Sequence, residues 1–178
     1  MPLDVRLDDA GDAQRAGAVN TLIARGGSLH AENTDGTGLI RDLGCNHRFN
    51  FSGAKLLLLG AGGAARGVLQ PLIEQQPGSL VIANRTVEKA AKLAAMADDP
   101  LVRGCGFDAL SGDRFDLIIN ATAAGLAAEV PAIPDDCLAD GGWTYDMMYG
   151  SEPTAFVKWG QRHAAGMALD GLGMLVEQ

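Results

Sequence analysis

Two groups of residues in this 178-residue chain have the types and spacing to do chemistry. The first is the run Gly60-Ala61-Gly62-Gly63-Ala64-Ala65, which directly follows four leucines. In such a run the first glycine permits a tight turn and the second lets backbone approach a pyrophosphate. A small third residue, here Ala65, lets helix pack on strand. The helix that follows turns its unpaired N–H groups and partial positive charge toward the phosphates. The second group is an amide and a carboxylate, Asn20 in "GAVNT" (17–21) and Asp35 in "NTDGTG" (33–38). They stand at the two ends of a short ribbon just ahead of the glycine run, where an amide and a carboxylate can form hydrogen bonds. On local pattern alone, "TDGTGLI" also makes Asp35 a helix N-cap.

The glycine run therefore reads as a dinucleotide site, and the next strand end decides which dinucleotide. A site for NAD places an acid there to hold the ribose 2′-hydroxyl. Here the chain reads Asn84-Arg85-Thr86, with Lys89 one helical turn further on. A carboxylate would repel a 2′-phosphate, whereas a guanidinium can bind it through two charge-assisted hydrogen bonds. The expected cofactor is NADP.

The elements that must position these residues follow from hydrophobic period and turn chemistry. "AVNTLIA" and "GSLHAEN" around Gly26-Gly27 predict a β-hairpin. "TGLIRDLG" predicts a short helix over 37–43, stopped at Gly44. The four leucines predict a strand buried on both faces, as in a parallel sheet. Beyond it, helices are expected in "GAARGVLQPLIEQ", "TVEKAAKLAAMA" and "PTAFVKWGQRHAA", the first kinked or broken at Pro71. Strands are expected in "SLVIAN", "LVRGCGF", "FDLIINAT" and "WTYDMMY". Alternation of this kind predicts an α/β fold, a Rossmann-like doubly wound parallel sheet carrying the N-terminal hairpin. The division falls near Asp35, giving 1–34 and 35–178, because an isolated hairpin is marginal in water.

Composition narrows the partners. A net charge of −8 argues against nucleic-acid and anionic-membrane surfaces. The N-terminus is acidic without an apolar run, and no stretch approaches the ~20 residues of a membrane span. Cys45, Cys105 and Cys137 share no metal-ligand spacing, nor do His30, His47 and His163. No metal is expected, and the location expected is cytoplasmic. Trp143 and Trp159 read as core or hinge aromatics, and Met148 as a packing residue of the core.

Taken together, "GAVNT", "NTDGTG", "GAGGAARGV" (60–68), "NRT" (84–86), "FDLIINAT" (115–122), "YDMMY" (145–149) and "DGLGMLVEQ" (170–178) resemble the shikimate dehydrogenase family. The resemblance implies NADPH-dependent reduction of 3-dehydroshikimate to shikimate, in aromatic amino-acid biosynthesis, in a cleft between two α/β domains. It implies that Asn20, Asp35, Tyr149 and Gln178 contact substrate, with Asp35 half of a Lys–Asp catalytic pair. It further implies that Thr122, Met147 and Gly171 line the nicotinamide end. The same family has serines where this chain has Ala123 and Ala124. The lysine motif of the family would fall ahead of Met1, and its last helix beyond Gln178. Residues 1–34 thus read as the tail of a substrate domain, open to self-association through an exposed hairpin. A quinate/shikimate enzyme and a non-catalytic NADP-binding module are the alternative readings.

Overall fold

The computed structural model describes residues 5–7, 12–25, 28–122 and 129–178. Its centre is a six-stranded, all-parallel sheet in the order β6-β5-β4-β7-β8-β9. The strands are β4 (Lys55–Leu59), β5 (Ser79–Ala83), β6 (Val102–Cys105), β7 (Phe115–Asn120), β8 (Leu138–Asp146) and β9 (Met167–Leu169). Alternation of side chains across a strand explains the leucine run. Leu56 and Leu58 enter one core with Val68, Leu72 and Leu93, while Leu57 and Leu59 enter the other with Phe156 and Trp159. The first core belongs to α3 (Gly63–Glu74) and α4 (Val87–Ala97), the second to α5 (Ala155–Arg162).

Strand order reverses direction between β4 and β7, and this is where a doubly wound sheet opens a crevice at its C-terminal edge. Gly60 closes that edge. Its N–H donates to the Ala83 carbonyl (2.8 Å), and the Ala121 N–H donates to the Leu59 carbonyl (2.9 Å). Gly60 has φ +108°, and a Cβ there would lie 2.9 Å from the Ala121 carbonyl oxygen. Only glycine fits this turn.

The N-terminal part differs from a bare hairpin. The strands β2 (Thr21–Arg25) and β3 (Ser28–Glu32) pair antiparallel, and β1 (Val5–Leu7) adds to β3 in parallel. The turn residues Gly26 and Gly27 lie outside the described residues. Helix α1 (Asp12–Ala16) packs on α3, burying Ala13 and Ala16. Among the described residues before Asp35, Ala13, Ala16 and Ala31 are therefore covered, while Val19 and Leu22 remain 45% and 61% exposed.

Two helices depart from their sequence patterns. The helix expected over 37–43 spans Asp35–Ile40 as α2 and then widens into a π-helix, Arg41–Asn46, with Gly44 inside it. A Cβ at Gly44 would meet Phe51 Cε2 at an ordinary contact distance of 3.6 Å, and the glycine does not end the element. The break expected at Pro71 is absent, since α3 runs on to Glu74. Gly36 of α2 accounts for this. A Cβ at Gly36 would stand 2.2 Å from Pro71 Cγ and 2.8 Å from the Gly67 carbonyl oxygen, the acceptor that proline leaves without its helical N–H. The proline ring and the freed carbonyl are packed against α2. The last helix, α6 (Leu172–Glu177), lies against α2 and the π-helix. Among the described residues, no helix is long and apolar enough to cross a membrane.

Candidate functional site

Two adjoining cavities open at the C-terminal edge of the large sheet. The larger, about 810 Å³, is lined by the 60–64 turn, by Asn84 and Arg85 after β5, by Phe107, and by 129–132. The smaller, about 230 Å³, shares Ala64, Ala121, Thr122 and Met148 with it. Its far wall is Asp35, Met147, Tyr149, Gly171 and Gln178. The sequence motifs far apart in the chain thus meet around two adjoining cavities.

The larger cavity has the features an anionic dinucleotide requires. Gly62 stands as the N-cap of the 12-residue α3, and a Cβ there would meet nothing within 4 Å. Backbone is therefore open to a close-approaching phosphate. Arg85 is exposed and is the one cation among the described residues lining this space. No hydrogen bond or ion pair to a described residue occupies its guanidinium. Asn84 is held in place by donating from Nδ2 to the Thr86 carbonyl (2.9 Å). Thr86 and Lys89 do not line the cavity. Thr86 is the N-cap of α4 by position, without a side-chain capping bond, and Lys89 is exposed on the first turn of that helix.

In the smaller cavity Asp35 is the centre of an amide clasp. Its Oδ1 accepts from Asn20 Nδ2 (2.7 Å) and from Gln178 Nε2 (3.0 Å). Asn20 stands behind Asp35 and outside the cavity lining. Its own Oδ1 accepts from the Thr34 N–H (3.0 Å) and the Thr21 hydroxyl (2.9 Å), which ties β2 to the start of α2. The capping role read for Asp35 is not what the structure contains. Thr34 is the N-cap, and Asp35 is the first helical residue with its carboxylate turned to Asn20 and Gln178. Asp35 Oδ2 makes no hydrogen bond to a described residue, so it can accept one from a ligand hydroxyl.

Three residues that lie within the quoted motifs but were given no role there hold this geometry. Asn33 is 5% exposed; it accepts from the Asp35 N–H (3.1 Å) and donates to the Ala18 carbonyl (3.2 Å). It also packs on α3, where a Cβ at Gly67 would be 2.8 Å from Asn33 Oδ1. Asn120 and Asp146, both fully buried, end β7 and β8. Asn120 Oδ1 accepts from the Thr122 hydroxyl (2.7 Å) and N–H (3.1 Å), and its amide donates to Asp146 (3.0 Å). Asp146 also accepts from the Thr154 hydroxyl (2.6 Å) and the Met148 N–H (3.1 Å). Burial pushes the Asp146 carboxyl above its ordinary range, against the pull of its three hydrogen-bond donors. The signal in the sequence was a polar residue closing each apolar strand, since a buried polar group at such a point must be paired.

Met148, read as a packing residue, is half-buried, belongs to neither core, and lines both cavities. The strand expected over "WTYDMMY" ends at Asp146, which frees Met147 and Met148 to turn toward the crevice. Gly171 allows α6 to meet this segment, because a Cβ there would lie 2.3 Å from the Met147 carbonyl oxygen. Trp143 and Trp159 pack as expected, Trp159 stacking on Phe156 (5.5 Å) and His163 (4.3 Å). Among the described residues, no group of His, Cys, Asp or Glu could hold a metal ion. Ala123 and Ala124 lie outside the described residues.

Comparison with known proteins gives this geometry relatives. Residues 44–128 match the family model described as shikimate / quinate 5-dehydrogenase. The chain is 56% identical over 167 residues to the shikimate dehydrogenase (NADP(+)) of Alkalilimnicola ehrlichii, covering 93% of this chain and 62% of that protein. An Ael1 enzyme from Pseudomonas putida superposes with a TM-score of 0.89 at 40% identity, over 98% of this chain and 64% of that one. Shikimate 5-dehydrogenase from Thermus thermophilus, solved with NADP(H) and shikimate, superposes at 0.80 and 30% identity, over 98% and 63%. The chain therefore spans about three fifths of the length of the curated relatives it matches.

Proposed function

We propose that this chain belongs to the shikimate / quinate 5-dehydrogenase family and is the cofactor-binding part of an NADP-dependent shikimate dehydrogenase, a reading supported by the match over 44–128 and by its similarity to relatives of that name. Residues 35–178 form the NADP-binding unit, and 1–34 belong to a substrate-binding unit. The observation that carries this reading is the clasp of Asn20, Asp35 and Gln178 at the mouth of a glycine-turn crevice. A polyol needs several fixed polar groups, since each buried unpaired hydroxyl costs about 1–3 kcal/mol.

The residues present fit the cofactor. The 60–64 turn and the start of α3 would hold its pyrophosphate, with Asn84 and Arg85 at the 2′-phosphate and Thr86 and Lys89 at the rim. Thr122, Met147 and Gly171 would border the nicotinamide. When bound, the cofactor supplies or accepts the hydride. The chain's own task is to hold the substrate. Asp35 Oδ2 accepts from one substrate hydroxyl and Gln178 and Tyr149 approach others. Asn20 fixes the Asp35 carboxylate, and Met147 and Met148 keep water from the reacting carbon. Hydride transfer to a ketone builds alkoxide character, which calls for a proton donor within hydrogen-bond reach. With Oδ1 held by two amides and Oδ2 open as an acceptor, Asp35 suits the role of accepting from and orienting a substrate hydroxyl.

The reading assigns the protein to the cytoplasm, in keeping with its three free cysteines. Calorimetric titration with NADP, and incubation with NADP and shikimate followed by NADPH absorbance, test it. Saturable NADP binding with shikimate-dependent NADPH formation is expected, at no more than about a hundredth of the rate of a two-domain relative if these 178 residues act alone. Absence of NADP binding would overturn it.

A further inference from the structure

We infer that Asn46 is a positioning residue, which sets the Gln178 amide against Asp35 by bridging two carboxylates beneath α6. The inference deepens the proposed function and rests on it, because it concerns how the substrate clasp is held.

The bridge begins in the core. Tyr145 is fully buried on β8, and burial together with Asp42 pushes its phenol far above the ordinary range, so it stays a donor. It donates to Asp42 Oδ2 at 2.7 Å. Asp42 is itself 2% exposed and lies on the π-helix. The wide π turn, in which the His47 N–H reaches the Asp42 carbonyl (3.0 Å), carries Asn46 round to the same side. Asn46 Nδ2 then donates one N–H to Asp42 Oδ1 and the other to Glu177 Oε1, both at 3.1 Å. An amide nitrogen has two such protons, and here each has a carboxylate.

Glu177 is the residue before Gln178. Tethering it fixes the end of a helix too short to be rigid by itself. Two glycines make the tether geometrically tight. A Cβ at Gly173 would be 2.2 Å from Asp42 Oδ1, and one at Gly38 would be 2.6 Å from the Met174 carbonyl oxygen and 2.9 Å from Gln178 Cγ. With α6 pressed this close to α2, the Gln178 amide reaches Asp35 at 3.0 Å. Asn46 is exposed, touches neither cavity, and acts only through α6.

The test compares the parent chain with Asn46→Ala and Asn46→Asp, since replacement of an exposed side chain leaves the core intact. The readout is the Gln178 side-chain amide in ¹H–¹⁵N NMR spectra, which needs no turnover. In Asn46→Ala that pair is expected to move to free-glutamine positions, and shikimate affinity in the presence of NADP to fall about tenfold while NADP affinity stays within about twofold. Asn46→Asp keeps the shape but replaces two donors with a third negative charge among Asp42 and Glu177. It is expected to displace Gln178 as well. A Gln178 signal that stays in place in both variants overturns the bridge. Displacement of Gln178 with unchanged shikimate affinity overturns its role in the clasp. A chain that binds no NADP defeats the proposed function instead, and the NMR result still reads the bridge.

Discussion

At the residue scale, function depends on a few polar atoms whose neighbours leave them one open valence. Arg85 has no described partner and faces the crevice, so its charge is available to a 2′-phosphate. Arg85→Asp is expected to abolish at least a tenfold preference for NADP over NAD, about 1.4 kcal/mol, and to turn it toward NAD. Paired titrations at one ionic strength check this, and an unchanged ratio would move the 2′-phosphate elsewhere. Asp146 makes a second case. Its folded-state pKa lies above its unfolded one, so the native state holds that proton more tightly. Its contribution to stability is present below the ordinary carboxylate range and is lost as pH rises through the folded pKa. Asp146→Asn removes that loss. The stability of the parent minus that of the variant, from urea unfolding, should fall as pH rises from about 4 toward neutrality. A difference that grows with pH would refute it.

At the scale of elements, close approach is set by glycines as much as by apolar faces. Gly171 brings the start of α6 against the backbone of Met147, and the atom a Cβ would strike is a carbonyl oxygen that cannot rotate away. Gly171→Ala should therefore cost about 1–3 kcal/mol, lowering Tm by several degrees in thermal melts, and weaken shikimate binding by displacing Met147. A variant as stable as the parent would mean that α6 can slide. The parallel sheet was legible because four leucines must be buried on both faces and the glycine run must follow a strand. The meeting of Asp35 with Gln178, 143 positions apart, followed from motif resemblance, since nothing local in either segment requires it. The π-helix at 41–46 was not legible: its pattern matches an α-helix stopped at Gly44, and what widens it is the packing of Asp42 against Tyr145 and α6. Strand β1 was equally hidden, because three residues gain strand conformation only by pairing with β3.

At the scale of the whole molecule, the small sheet β1-β3-β2 presents β2 as an edge, and Leu22 on it is 61% exposed. Unpaired edges with apolar side chains recruit further strands. Concentration-dependent self-association is expected in sedimentation experiments, and Leu22→Lys should suppress it; a parent that stays monomeric at about 100 µM would discount the edge. Charge acts over the same distance. Arg85 is the one cation among the described residues lining the larger cavity of a chain carrying a net −8, and the dinucleotide proposed to enter is itself an anion. Repulsion from the whole surface reaches as far as the Debye length, about 10 Å at 0.1 M salt, whereas the guanidinium contact acts only on arrival. Added salt should then shorten the diffusional approach and the bound lifetime together. Stopped-flow mixing would register this as an association rate constant that rises with ionic strength, the reverse of the usual electrostatic steering, and a fall would mean that the crevice's local field outweighs the molecule's net charge.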